Sequence, residues 1–508
     1  MWDTIVIGSG IGGLAAAAAL ARSGQKVLIL EQHAVPGGLT QTFSRRDWHF
    51  STGVHYLGGV GPQAGPDGRF GRLLDWLSDG RLEFAACGNP YDIVRLPGFE
   101  LGIEHPEERY RDVLSARFPA QQRAIALWFD EMQAARRAAS SMLMARGLPH
   151  WLAAGVRWWR GAEIERWTRI SLAEALAEIP DRQLRAVLGA RWGDYGAPPA
   201  TAPLLEHALV TGAYNAGAYY PVGGPARFAA ALLPVVRAAG GDCELGASVE
   251  RLELVEGRAT AVHYRKGDTL HRAAAHQLIS AMGALNTAAC LQPQDAPQWQ
   301  AALRDFRPGL ACLSLYIGLE GDIAAAGASA ANVWIYESDE IGDVWRRPAD
   351  EDAPGLFVSF PSLKDPQHEG GPTAEVIALC DASAFAPWLH LPEGERPEAY
   401  LAFKAWVEER LLAQFNRHFP ALAPMVRYHE MSTPVTQRHY VRSPDGAMYG
   451  LEMDAARLAS LALNIRTPVP GLLLAGQDIF GAGVQSAAMS GWLAAAALEP
   501  TLLRRLGG

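Results

Sequence analysis

The sequence predicts an α/β fold: a parallel, Rossmann-like sheet with helices packed on it, and a second, α+β domain interleaved with that sheet. Three observations carry the prediction. An apolar strand runs directly into a GxGxxG turn at the start of the chain; an alanine-rich helix and a second apolar strand ending in an acid follow it; and a strand, turn and helix start of similar make-up return near residue 480.

In order, Ile5, Val6 and Ile7 form the first buried strand. Gly8 permits the tight turn out of it, Gly10 lets the backbone approach a pyrophosphate, Gly12 lies in the same turn, and Gly13 lets the next helix sit close to the sheet. The helix N-terminus supplies free N–H groups and a positive dipole end. Residues 14–23 are mostly alanine, a strong helix former with a slim face, and Gly24 ends the helix. Residues 27–30, Val-Leu-Ile-Leu, are the second strand. Glu31, 18 residues after Gly13, is placed to accept ribose hydroxyls, with Gln32 beside it. Strand, glycines, helix, strand and acid in this order make a dinucleotide-binding unit, where a lone glycine cluster would be an ordinary turn.

Which dinucleotide is decided further on. Gly37 and Gly38 follow Glu31 closely, and residues 471–478 read as another strand and turn, with Gly476 and Asp478 in the turn and Gly483 and Val484 opening a helix. An Asp reaching the ribityl chain or pyrophosphate, and a helix N-terminus facing a flavin ring, fit FAD far better than NAD. The plainer role for Asp478 is a helix cap.

At 508 residues the chain is too long for one core, and 49% hydrophobic content is ample for two. A net charge of −9 without a long basic tract argues against a nucleic-acid partner. Five cysteines, far apart and without a CxxC pair, suit a reducing compartment with neither a disulfide framework nor a zinc site. The chain starts directly in the nucleotide-binding strand with no secretory pattern, and no stretch is apolar enough to span a bilayer. The expected location is cytoplasmic, or peripheral on the inner face of the membrane.

The order of segments divides the chain into 1–75, a first part of the FAD-binding domain; 76–210, a helical region rich in Trp and Arg facing substrate or membrane; 211–290, a second FAD-binding part; 291–430, a substrate-covering sheet; and 431–508, the return to the flavin. Residues 58–71 read as a loop. Residues 225–239 form a helix that Gly240 and Gly241 end before a strand running through Val249. A meander at 259–265 and a buried strand at 277–281 follow. Residues 313–317 and 355–360 show strand-like alternation.

With these residues identified, the chain resembles the phytoene desaturase and carotenoid isomerase superfamily of FAD oxidoreductases, and within it the retinol saturase branch, the all-trans-retinol 13,14-reductases. The resemblance covers nearly the whole length. VIGSGIGGLAAAAALARSGQKVLILEQH at 6–33 and GLLLAGQDIFGAGV at 471–484 are shared by many flavoproteins. FSTGVHYLGG at 50–59, AYYPVGGPARF at 218–228, SFPSLKDP at 359–366 and TPVTQRHYVRSPDGAMYG at 433–450 discriminate. Leu39 departs from the wider amine-oxidase-like group, where Arg commonly follows the glycine pair, which puts a charged clamp on the pyrophosphate in doubt.

The resemblance implies an amine-oxidase-like FAD domain and a flavin enzyme that saturates or desaturates a conjugated C=C of a hydrophobic polyene. A cis-trans isomerase without net redox change is the runner-up, and a flavin-bound lipid-binding protein is the alternative from another class. It places Val249 at the backbone contact to adenine, Val484 at the flavin carbonyl, and His55 and Tyr56 beside the flavin. His55 there would hold or donate a proton, or stabilise charge as the double bond is polarised; the bland role is a hydrogen-bonded core histidine. Tyr219, Tyr220, His439, Tyr440 and Tyr449 are candidates for the substrate cavity wall, though such aromatics are more often core. Lys364, Asp365 and Pro366 read as a turn with a local ion pair. One complete dinucleotide fingerprint implies a diffusible electron donor or acceptor as partner. No metal cluster appears in the sequence.

Residues 136–169 hold Arg136, Arg137, Arg146, Arg157, Arg160, Arg166 and Arg169 against Glu163 and Glu165, a local charge of +5 in an acidic chain. On a helix starting at Pro149, Trp151, Leu152, Gly155, Trp158 and Trp159 share one face. Such a segment suits an anionic membrane surface, or a lid or oligomer contact.

Overall fold

The computed structural model describes residues 1–61, 68–147, 150–342 and 352–505. The strand Trp2–Ile7 lies parallel to Val27–Glu31 on one side and to the long strand Thr269–Ser280 on the other. Asp242–Leu245 extends the sheet beyond Val27–Glu31, and Leu472–Leu474 pairs with Thr269–Ser280. Thr269–Ser280 is long enough to serve two partners. Its first half closes an antiparallel meander with Arg258–Lys266, and its second half enters the parallel sheet.

Between the first two strands, the helix Ile11–Arg22 is buried along nearly its whole length. Alanine makes this possible, because a methyl face lets the helix pack at once on the sheet, on the C-terminal helix Gly483–Leu498 and on Arg227–Ala238. The contact with the C-terminal helix is backbone against backbone: a Cβ on Gly491 would sit 1.9 Å from the Gly12 carbonyl oxygen.

The second sheet runs in the order Val426–Ser432, Ala311–Leu319, Thr373–Cys380, Gly355–Ser359, Asn332–Tyr336, Asp92–Leu96, Phe99–Ile103. Helix Glu398–His418 packs on it. All nine residues of Ala311–Leu319 are buried, so the alternation expected at 313–317 does not separate a wet face from a dry one. A third body of packing is helical, with Gln122–Gly147 lying against His150–Arg169 and Leu204–Gly212.

Several expected boundaries move. The helix Arg69–Ser78 begins inside the segment read as a loop at 58–71, of which 62–67 lie outside the described residues. Residues 92–103, in the stretch expected to be helical, are two strands of the second sheet. The strand expected to end at Val249 is two: Gly246, at φ +68°, breaks it into Asp242–Leu245 and Ala247–Val255. Val249 therefore stands near the start of a meander strand, opposite Tyr264. Among the described residues no helix is long and apolar enough to cross a membrane.

Candidate functional site

The first part of the site is the glycine cradle. Gly8 has φ +94°, and a Cβ on Gly13 would meet the Gly8 carbonyl oxygen at 2.0 Å, so only glycine allows this turn to close. Gly10 faces open space, with nothing within 4 Å of a Cβ placed there. Gly38 approaches Gly10 from the opposite wall, its Cβ position 3.1 Å from the Gly10 Cα. Ser9 ties the walls together: its N–H and hydroxyl donate to Glu31 at 2.8 and 2.7 Å, and its Oγ accepts from the Gly37 N–H at 3.0 Å. The other oxygen of Glu31 accepts from the His33 N–H. Gln32 reaches outward and donates to the Tyr440 carbonyl. Leu39 packs on Gly53, an apolar contact where an arginine would bring charge.

Neither of the two helices that pack together at this turn has a side-chain cap. Ile11–Arg22 starts after Gly10, and Gly483–Leu498 starts after Ala482, leaving N–H groups free at both ends. Gly483 also faces open space. Gly476 is held by Ser490, whose hydroxyl accepts from its N–H at 2.7 Å. Asp478 is buried, and its carboxylate accepts from the Ala284 N–H at 2.9 Å and the Leu451 N–H at 3.3 Å. An open glycine cradle, a buried acid after the Leu472–Leu474 strand and two uncapped helix ends fit a dinucleotide cofactor, whose pyrophosphate the free N–H groups near Gly10 would hold.

The second part is a cavity of about 910 Å³ between the helical region, the second sheet and the first turn of Gly483–Leu498. Segment 53–59 forms one wall and places His55 and Tyr56 on the cavity. Tyr56 stacks on Tyr214 at 4.6 Å between ring centres, and Phe357 lies edge-on to Trp334 at 4.7 Å, making an aromatic box. Tyr449 also lines it.

Polar groups reach this box from behind. His55 Nδ1 stands 2.8 Å from Glu375 Oε2, and the other oxygen of that buried carboxylate accepts from the Ser51 N–H. Lys364 is buried, with Nζ donating to the His55 carbonyl at 2.8 Å, to Ser359 Oγ at 2.7 Å and to Asn332 Oδ1. Burial lowers its pKa. The Tyr56 hydroxyl lies 2.9 Å from Asp194 and 3.2 Å from Asp92. Burial pushes the Asp92 carboxyl up to about 6. Burial and the neighbouring Asp92 push Asp194 up to about 8.

Several expected positions need correction. The turn expected at Lys364, Asp365 and Pro366 forms, but without the ion pair: the lysine turns inward to support the His55 backbone, and Asp365 accepts from the Gly223 N–H. Tyr219 and Tyr220 are one layer behind the cavity, where Tyr219 bridges Leu57 through the backbone and the Tyr220 hydroxyl bonds Ser51. His439 and Tyr440 are exposed at the end of Pro434–Val441; His439 sits 3.5 Å from Glu393, and Tyr440 lies edge-on to His33. Of the five aromatic wall candidates, Tyr449 lines the cavity.

The Arg-rich segment splits. Arg146 is buried, donating to the Leu458 and Ile479 carbonyls, so it adds no surface charge. Arg136 pairs with Glu107, Arg160 with Glu163 and Arg169 with Glu165. Pro149 lies outside the described residues, as do the side chains of Trp151, Leu152 and Arg157. Trp158 and Trp159 are 89% and 77% exposed, and Arg137, Trp159 and Arg160 line the cavity.

Asp194, Asp92, Glu375 and Lys364 escape sequence reading. Lys364 shares the 359–366 motif with Ser359, but its inward course also depends on Asn332 and the His55 carbonyl, which lie far away in the chain. Asp194 carries no signal beyond a glycine on the residue before it.

Residues 6–72 match a model described as an NAD(P)-binding Rossmann-like domain. Over 98% of its length the chain is 32% identical to the all-trans-retinol 13,14-reductase of Rattus norvegicus, covering 85% of that protein. It is 24% identical over 97% of its length to the chloroplastic prolycopene isomerase of Daucus carota, covering 79% of it. Among solved structures, the cyclohexylamine oxidase from Brevibacterium oxydans superposes with a TM-score of 0.60 at 19% identity, over 98% of this chain and 99% of that one. That likeness extends to the fold.

Proposed function

The chain belongs to the all-trans-retinol 13,14-reductase branch of the phytoene desaturase and carotenoid isomerase superfamily, and from that premise we propose that it is an FAD-dependent oxidoreductase acting on a C=C bond of a hydrophobic polyene. The observation that carries the reading is that one helix, Gly483–Leu498, touches both the glycine turn and the cavity. Gly483, Val484 and Gln485 line the cavity, while the same helix packs on Ile11–Arg22, whose own N-terminus faces the cradle.

When bound, FAD supplies a ring that exchanges two electrons with the substrate. The chain's residues do the rest. Glu31 and the Gly8 to Gly13 turn would hold the adenosine and pyrophosphate, and the Val484 N–H would be available to the flavin. Tyr56, Tyr214, Trp334 and Phe357 hold a conjugated chain by apolar contact and keep water out. His55, backed by Glu375, stabilises charge as the double bond is polarised. At the mouth, Trp159, Arg137 and Arg160 favour contact with an anionic membrane surface, from which an insoluble polyene enters without crossing solvent. A diffusible donor or acceptor completes the electron balance.

The test is mass spectrometry of polyenes incubated with the reduced and the oxidised enzyme, with the released cofactor identified on denaturation. A gain or loss of two hydrogens supports the reading; unchanged mass with altered double-bond geometry makes the protein an isomerase, and no change in any polyene makes it a binding protein. FAD should be released from wild type, and Glu31→Ala should retain less of it. Full occupancy in that variant on dilution would remove Glu31 from the ribose.

A further inference from the structure

We propose that Asp194 is the proton donor of the reaction: its carboxylic acid protonates one carbon of the substrate's double bond, and Tyr56 steadies the carboxylate left behind. The inference rests on the polyene reading above and adds the group that supplies the second hydrogen.

Asp194 ends the turn Ala190–Asp194 on the cavity wall. Gly193 lets that turn press against the aromatic box, since a Cβ there would lie 2.8 Å from the Trp334 ring. The Tyr56 hydroxyl reaches both Asp194 and Asp92. A phenol has one proton, so it donates to one carboxylate and must accept from the other, which keeps its own proton. Asp92 lies off the cavity and accepts a further hydrogen bond from Asn332 Nδ2 at 3.0 Å, which favours its charged form. Among the described residues Tyr56 is the one side-chain hydrogen-bond partner of the Asp194 carboxyl, so no second donor stabilises its charged form. The proton therefore stays on Asp194, in keeping with the shifts to about 8 for Asp194 and about 6 for Asp92.

The charged groups facing Asp194 are Asp92 and Arg191, whose guanidinium donates to the Tyr91 hydroxyl. Burial raises the pKa of the phenols of Tyr56, Tyr91, Tyr195, Tyr214, Tyr336 and Tyr449, so they remain neutral around it. In the step, one alkene carbon receives a hydrogen with its electron pair from a dihydroflavin, the π bond breaks, and the other carbon bonds the proton leaving Asp194. The alkene is reduced by two electrons, the flavin is oxidised, and the carboxylate recovers a proton from bulk solvent once the reduced product has left the cavity.

The test uses FAD-loaded wild type, Asp194→Asn and Tyr56→Phe. Infrared difference spectra across pH should show a protonated-carboxyl band that titrates near 8 in wild type and is missing from Asp194→Asn, a readout that needs no turnover. Single-turnover reduction by Asp194→Asn should be slower by roughly 10² or more with substrate affinity kept within a few-fold. Because the acid form is the donor, the wild-type rate should fall as pH rises through the same midpoint. Tyr56→Phe removes a hydrogen bond to the carboxylate and should move that fall to higher pH. A band that persists in Asp194→Asn, a rate within about threefold of wild type, or an unmoved pH limb in Tyr56→Phe overturns the proposal. If Asp194→Asn does not fold, the Tyr56→Phe limb decides alone. A wild type that shows the band yet reduces no polyene defeats the reading of the reaction; a wild type that reduces polyenes without the band defeats the donor.

Discussion

His55 illustrates how one side chain in this site is set by groups far away in the chain. Its ring meets Glu375 from the second sheet, and its carbonyl accepts from Lys364. A histidine placed between a buried carboxylate and an aromatic cavity is oriented before substrate arrives, which is what charge stabilisation in a low-dielectric site requires. His55→Phe should keep FAD and fold while slowing the chemical step by roughly 10² or more. Stopped-flow reduction of the bound polyene measures it, and an undiminished rate at saturating substrate returns His55 to a packing role. The residue scale is also where sequence reading was weakest. Tyr449 was legible as a cavity residue, whereas His439 and Tyr440, expected there on the same grounds, are exposed. Nothing local separates them, because the cavity is made by strands and turns distant in sequence.

The helix pair Ile11–Arg22 and Gly483–Leu498 is the element on which the site depends, since the first follows the glycine turn and the first turn of the second lines the cavity. Their approach leaves no room at the crossing, where a Cβ on Gly491 would overlap the Gly12 carbonyl. Alanine is the better helix former by up to about 1 kcal/mol, but forcing a methyl into this contact should cost roughly 1–3 kcal/mol. Overpacking wins, because the obstructing atom is backbone and cannot rotate away. Gly491→Ala should lower the denaturation midpoint and reduce FAD occupancy together, read by urea unfolding and by flavin absorbance. Unchanged values in both would mean that the helices separate without harm. The glycine turn and alanine helix were readable because their chemistry is local. The strand pair 92–103 was not, because its place is set by pairing with Asn332–Tyr336.

Across the whole molecule, Trp159 and Arg160 line the cavity while Trp159 and the neighbouring Trp158 are largely exposed to solvent. An exposed indole pair beside Arg137 at a cavity is the kind of surface that would favour a lipid interface. Wild type should co-sediment with anionic liposomes more than with neutral ones, and Trp158→Ser/Trp159→Ser should lose most of that binding while keeping FAD. Equal recovery of both proteins in the supernatant removes the membrane and leaves a lid. Arg146, buried against the Leu458 and Ile479 carbonyls, takes no part, so the effective surface charge is smaller than the arginine count implies.

What the sequence by itself determined is the nucleotide half: strand, glycine turn, alanine helix and Glu31 lie within about one βαβ unit, and each residue type there answers a local demand for a positive φ, a close approach or a carboxylate at a strand end. What only the tertiary structure decided is the chemistry of the cavity. Asp194, Tyr56 and Asp92 share one hydrogen-bonded cluster across as many as 138 positions of chain, and Lys364 reaches His55 across 309. The proton on Asp194 is a property of that burial and that shared phenol, and neither exists until the helical region and the second sheet close on each other.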